Sequence, residues 1–128
     1  MRRRVETLLI IGLGGFAGAI LRYAVSVWAV ERLGATFPYG TLIVNVAGSL
    51  GLAIFLGWAA GHVTLDPRAR FLIGVGFFGA FTTFSTYATE SIGLALDGNW
   101  TNAAINVIGT NVVCLVCAGV GLALGRAL

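Results

Sequence analysis

Polar side chains recur at helical spacing in a chain that is otherwise strongly apolar. Thr41, Asn45 and Ser49 follow one another every four residues, so on a helix they share one face. Asn102, Asn106, Thr110 and Cys114 repeat that spacing, with Asn111 alongside. Between the two stripes, the nine positions from Gly79 to Tyr87 hold four hydroxyl residues (Thr82, Thr83, Ser85 and Thr86) and three aromatics (Phe81, Phe84 and Tyr87). Asparagine amides and threonine hydroxyls donate hydrogen bonds, and no carboxylate lies along either stripe. A cation route is lined by carbonyls or carboxylates, whereas an anion route wants donors, so the stripes lean toward an anion. The structural alternative is hydrogen bonding between packed helices, typically about 0.6–2 kcal/mol per contact.

The elements that must carry these residues are membrane helices. Apolar residues make up 58% of the 128-residue chain and charged residues only 10%, too few to cover a soluble domain of this size. Eight arginines without a lysine are spread along the chain and form no basic patch, which removes nucleic acid as a partner. Leu8–Val30 is interrupted only by Arg22, Phe71–Leu96 only by Glu90, and Leu42–Gly61 and Ala103–Gly125 carry no charge. About 20 residues cross a hydrocarbon core of roughly 30 Å. Backbone groups in lipid must be satisfied within their own segment, so these are helices. The expectation is one all-α integral membrane domain over residues 1–128, with spans near 5–31, 38–61, 69–96 and 100–126.

Turn signals separate the spans: Gly34 and Pro38, Asp66-Pro67, and Asp97-Gly98-Asn99. Trp28, Trp58 and Trp100 stand near span ends, where an amphipathic ring prefers the headgroups. The first apolar run is too long for a signal peptide and has no cleavage-like site. Four spans put both termini on one side, which collects Arg2, Arg3, Arg4, Arg68, Arg70 and Arg126. The other side has Arg32 and, if it snorkels outward, Arg22; the bias favours cytoplasmic termini in a cell membrane.

Several motifs carry no chemistry here. Gly12-Leu-Gly14-Gly15-Phe-Ala17 fits a dinucleotide fingerprint, but no βαβ unit surrounds it, and Gly14 and Gly18 instead allow close helix approach. Cys114 and Cys117 have redox spacing but sit mid-span without a second pair or a nearby histidine, and read as small buried residues that form no disulfide. His62 reads as a solvated residue at a span end. No nucleophile, base and orienting acid come together, so the chain is not an enzyme.

The third span is expected to break. Its hydroxyls compete for backbone carbonyls, and Gly79 lowers the helix preference. Broken membrane helices free carbonyls that hold ions. Phe84 and Tyr87, three apart, face one way and turn partly positive ring edges toward an anion, unless they only pack. Arg22 either snorkels or makes a positive vestibule; Glu90 serves either a salt bridge or hydroxyl network, or conduction.

Taken together, Gly14-Gly15-x-x-Gly18-Ala19-x-x-Arg22-Tyr23, Gly40-Thr41-Leu42-x-x-Asn45-x-x-Gly48-Ser49 and Gly79-x-x-Thr82-Thr83-Phe84-Ser85-Thr86 resemble the signature blocks of the Fluc (CrcB) fluoride channels, in order along the whole chain. The resemblance implies an antiparallel, dual-topology dimer with two fluoride pores at its interface, exporting fluoride passively. It implies a structural sodium ion on the two-fold axis, held by the carbonyls of Gly79 and Thr82. It places Asn45, Phe84, Tyr87, Thr41, Thr110, Ser85 and Thr83 on the fluoride pore, and Arg22 and Glu90 beside it. Tyr87 stands where the family commonly has a second phenylalanine, which keeps the ring edge and adds a hydroxyl; Asn106 and Cys114 fall where relatives vary.

The six-to-two arginine split raises a homologous subunit of opposite topology as an alternative partner. Retention of Asn45, Phe84 and the sodium motif in one chain favours a second copy of itself. A small four-helix dual-topology exporter is the rival mechanism. Such exporters rely on an embedded glutamate in the first helix, and here Glu6 lies at its entrance. A non-conducting assembly subunit would explain the glycines but not the two donor stripes.

Overall fold

The computed structural model describes residues 2–62 and 64–128, which form helices joined by short connections. Helix α1 (Arg2–Leu33) and helix α2 (Tyr39–Gly61) are continuous. The third span, Pro67–Leu96, is built in pieces: a turn α3 (Pro67–Ala69), a π-helix (Arg70–Phe78), a turn α4 (Gly79–Phe81) and helix α5 (Phe84–Leu96). Helix α6 (Trp100–Ala127) completes the bundle. All four spans are long and apolar enough to cross a membrane.

The ends follow from local sequence. Gly34 and Gly98 sit at φ of 85° and 78°, where only glycine is comfortable, and let the chain leave α1 and α5 in tight reversals. After α5, the Asn99 amide returns to the Leu94 carbonyl and the Gly98 amide to the Ala95 carbonyl, closing the last turn. Asp66 caps Pro67–Ala69 by accepting the Arg68 amide at 2.9 Å, with proline at the first helical position. Arg70 reaches the α2 terminus, where its guanidinium donates to the Ala59 carbonyl at 2.7 Å. His62 is exposed, stacks on Trp58 at 4.4 Å and bonds the Trp58 carbonyl through Nδ1 at 2.8 Å. The two cysteines are free thiols.

Two seams hold the bundle, and both are glycine. Along α1, added Cβ atoms on Gly14 and Gly18 would run into the backbone of Leu72 and Phe77, so α1 packs on the third span main chain to main chain. Along α2 and α6, a Cβ on Gly57 would lie 2.7 Å from the Leu122 carbonyl oxygen, and one on Gly121 2.7 Å from that of Leu50. In lipid no hydrophobic gain draws helices together, so dispersion between closely approached backbones must do it. The four-residue spacing of Gly14 and Gly18 is thus a packing device, as its sequence context predicts.

Candidate functional site

The break in the third span falls at Thr82 and Thr83. Both are extended, with Thr82 at φ −85°, ψ 160° and Thr83 at φ −151°, ψ 119°. Gly79, a residue from which a break is expected, stays helical at φ −62°, ψ −32°. Side chains, rather than glycine freedom, open the helix. The Thr83 amide donates to Asn45 Oδ1 at 2.8 Å, and Asn45 Nδ2 donates to the Thr83 carbonyl at 3.0 Å. Asn45 thereby supplies, from α2, the donor and acceptor that the broken ladder removed.

Thr83 then caps α5: its hydroxyl oxygen accepts the Thr86 amide at 3.2 Å and its proton goes to Thr86 Oγ1 at 3.0 Å. Each substitution of a side chain for the ladder releases a carbonyl. In an unbroken helix the Thr83 amide would bond the Gly79 carbonyl, and the Thr86 amide the Thr82 carbonyl. Both amides are turned elsewhere. The amides of Phe84 and Ser85, which open α5, make no ladder bond either, so Gly79, Ala80, Phe81 and Thr82 all carry oxygens detached from the ladder, Gly79 and Thr82 at the two ends of the run; backbone oxygens are the donor type that hard cations take. Among the described residues, no group of three or more His, Cys, Asp or Glu is placed to hold a metal ion.

Phe84 and Tyr87 do face one way, with ring centroids 5.6 Å apart. Phe84 is 77% exposed, whereas Tyr87 is buried. They line a cleft of about 260 Å³ with Asn45, Thr83, Thr110 and Asn111 among its other walls. A second cavity of about 210 Å³ begins at Thr83 and is walled by Arg22, Ser26, Thr41 and Thr86. A third, of about 460 Å³, shares Ser26, Thr41 and Thr86 with it and extends past Glu90 to Asp97. Thr83 walls both the first and the second cavity, and Ser26, Thr41 and Thr86 wall both the second and the third. Glu90 Oε2 is buried in the wall of the third with no hydrogen-bond partner, and among the described residues the one salt bridge is Arg68–Glu6, at 2.6 Å and lining different cavities. Ser85 is exposed, its hydroxyl 3.5 Å from that of Thr83.

The stripe on α6 divides. Asn106 is fully buried and donates to Ser91 Oγ at 2.9 Å, while the Thr110 hydroxyl donates to Asn106 Oδ1 at 3.1 Å. Ser91 in turn donates to the Tyr87 carbonyl at 2.7 Å. This part of the stripe stitches α5 to α6, the structural reading of such polar residues. Asn111 instead joins the cleft, donating to the Tyr87 hydroxyl at 2.6 Å. The Asn45–Thr83 clasp and the Asn111–Tyr87 pair are absent from any spacing rule, since each joins different helices.

A bundle of four spans with a break in the third, held open by side chains of α2 and of the break itself, defines a small multi-pass membrane protein. The family described as "CrcB-like protein, Camphor Resistance (CrcB)" matches residues 9–122, nearly the whole chain. The "Fluoride-specific ion channel FluC" of Koribacter versatilis is 43% identical over 111 residues, covering 87% of this chain and 88% of the relative. Its namesake in Trichormus variabilis is 43% identical over 117 residues, 91% of this chain and 85% of the relative. That of Chloroflexus aurantiacus is 39% identical over 122 residues, 95% and 97% of the two chains. The chain belongs to the CrcB family. It is a multi-pass membrane protein, in a bacterium one of the cell membrane.

Proposed function

We propose that this chain is a fluoride-selective channel that lets cytoplasmic fluoride leave the cell passively, and catalyses no reaction. The observation that carries the reading is the cleft at the break, where Asn45, Thr83, Asn111, Phe84 and Tyr87 gather donors and ring edges, beside a cavity walled by Arg22 and Thr41 that shares Thr83 with it. The names of its relatives agree with it. A small anion gives up a tightly held hydration shell and needs short, fixed donors in return. Asn45 keeps one amide proton beyond the one given to Thr83. Phe84 offers its ring edge, and Arg22 supplies the positive charge that concentrates anions at the approach.

The functional unit in this reading is a dimer of two copies in opposite orientation. The cleft at Phe84 lies open on the surface of one chain, and a second copy laid across it would complete a pore on each side. Sodium would sit where the released Gly79 and Thr82 carbonyls of both copies converge, neutralising oxygens that otherwise face each other unpaired in lipid. The six-to-two distribution of arginines favours one further reading, a homologous subunit of opposite topology as the partner.

The test is efflux from liposomes holding this chain alone, followed with fluoride and chloride electrodes in parallel. Fast fluoride release without chloride is the expected result. Silence for both ions points to the second subunit, and equal release of both sinks the fluoride assignment.

A further inference from the structure

Among the described residues the Tyr87 hydroxyl donates to one acceptor, and that acceptor is already taken. Its proton points to the Val107 carbonyl at 3.3 Å, near the limit of a hydrogen bond. The same carbonyl accepts Asn111 Nδ2 at 2.7 Å, and the helical ladder of α6 assigns it to the Asn111 backbone amide as well. A carbonyl has two lone pairs, so the phenolic proton is the third claimant. Meanwhile Asn111 Nδ2 donates to the Tyr87 oxygen at 2.6 Å. A hydroxyl that accepts a strong hydrogen bond becomes a better donor, because the two bonds polarise one another. Tyr87, Asn111, Asn45 and Phe84 all line the same cleft.

Resting on the fluoride reading above, we infer that Tyr87 is a specificity-determining donor: its hydroxyl proton leaves Val107 for an anion in the cleft, while Asn111 holds and polarises the phenolic oxygen. A phenylalanine at this position can offer only the weak positive edge of its ring. Here the ring edge is supplemented by a true O–H donor, and the hydroxyl needs only to rotate about its C–O bond to change partners. Small, strongly basic anions gain most from such a donor, so the pair favours fluoride over chloride.

The inference is tested with ring-labelled [13Cζ]tyrosine in the full-length protein in detergent, since the Cζ resonance reports the hydrogen bonding of its own hydroxyl. The Tyr87 signal is identified among the three tyrosines by its disappearance in Tyr87→Phe. Fluoride should move it and chloride at equal concentration should not. Asn111→Leu should raise the fluoride needed for half the movement several-fold. In liposomes Tyr87→Phe should slow fluoride efflux by about tenfold, the loss expected for one hydrogen bond to an ion, and adding Asn111→Leu should slow it little further. A Cζ resonance unmoved by fluoride, with Tyr87→Phe effluxing at the full rate, overturns the inference. A resonance that moves while the unmodified protein passes no fluoride sinks the channel reading and keeps the donor.

Discussion

The glycine seam between α2 and α6 and the break in the third span solve the same problem in opposite ways. At the seam, every backbone group stays in its own ladder, and proximity comes from removing side chains. An added Cβ on Gly125 would sit 2.8 Å from the Trp58 amide nitrogen and 3.0 Å from the Gly57 Cα. At the break, ladder bonds are given up and side chains from α2 and from the break itself replace them, through Asn45 and Thr83. The seam is rigid because nothing in it can move aside. The break is polar because its backbone has been opened, and the released groups are held by few bonds. The proposed ion route lies at the second kind of place, since the first leaves no room and presents no donors.

The contrast can be broken most severely at the seam. Gly125→Leu should eliminate the folded species, because the obstruction is backbone that cannot yield, exceeding the roughly 1–3 kcal/mol of ordinary overpacking. Size-exclusion chromatography of the detergent-extracted protein checks it, and a monodisperse peak at normal yield would remove the seam from the account. Next comes Asn45→Ala, which leaves the Thr83 amide and carbonyl without partners at about 1–3 kcal/mol each. It should lower stability in a denaturant titration and stop fluoride efflux together. Asn45→Asp keeps the acceptor for the Thr83 amide but brings a negative charge to the cleft, so it should abolish efflux while retaining more of the stability.

Removing sodium should act on the break alone. If sodium sits at the break as proposed, efflux should fall and the proposed dimer should weaken in rigorously sodium-free liposomes, because the carbonyls of Gly79 and Thr82 would lose their counter-charge. Undiminished efflux there would count against those two as ligands. Thr83→Val should have a smaller effect, about 1 kcal/mol from the lost cap of α5, read as a lowered unfolding midpoint. Gly12→Ala marks the other end of the scale. Nothing lies within 4 Å of an added Cβ at Gly12, so the better helix former should leave the midpoint unchanged or raise it slightly, by at most about 1 kcal/mol.

Much of this was legible in the residues themselves. Four membrane-length apolar helices follow from apolar runs long enough for a bilayer, whereas the division of the third into a π-helix, a short turn and α5 is marked by no charge or turn signal. Gly98 ends α5 where the Asp97-Gly98-Asn99 signal puts a turn, and the sequence resemblance names the family to which the chain belongs. Phe84 and Tyr87 share a face because three residues separate them. The break was legible as an event but not as a position. A composition of hydroxyls predicts competition for the ladder, but whether Gly79 or Thr83 lets go depends on which amide finds a partner on another helix.

Periodicity within one helix and the length of an apolar run are properties of the chain, and the sequence alone determined them: four membrane helices, their ends, and the faces on which the polar residues lie. Which polar residue answers which is set across distances of tens of residues, and only the tertiary structure decided it. The α6 stripe looks uniform in sequence, yet Asn106 turns inward to Ser91, Thr110 bonds Asn106 while walling the cleft, and Asn111, one residue further on, turns to Tyr87. Adjacent residues on a helix point about 100° apart, so a small rotation of α6 against α5 separates a residue that holds the bundle together from one that faces the cleft.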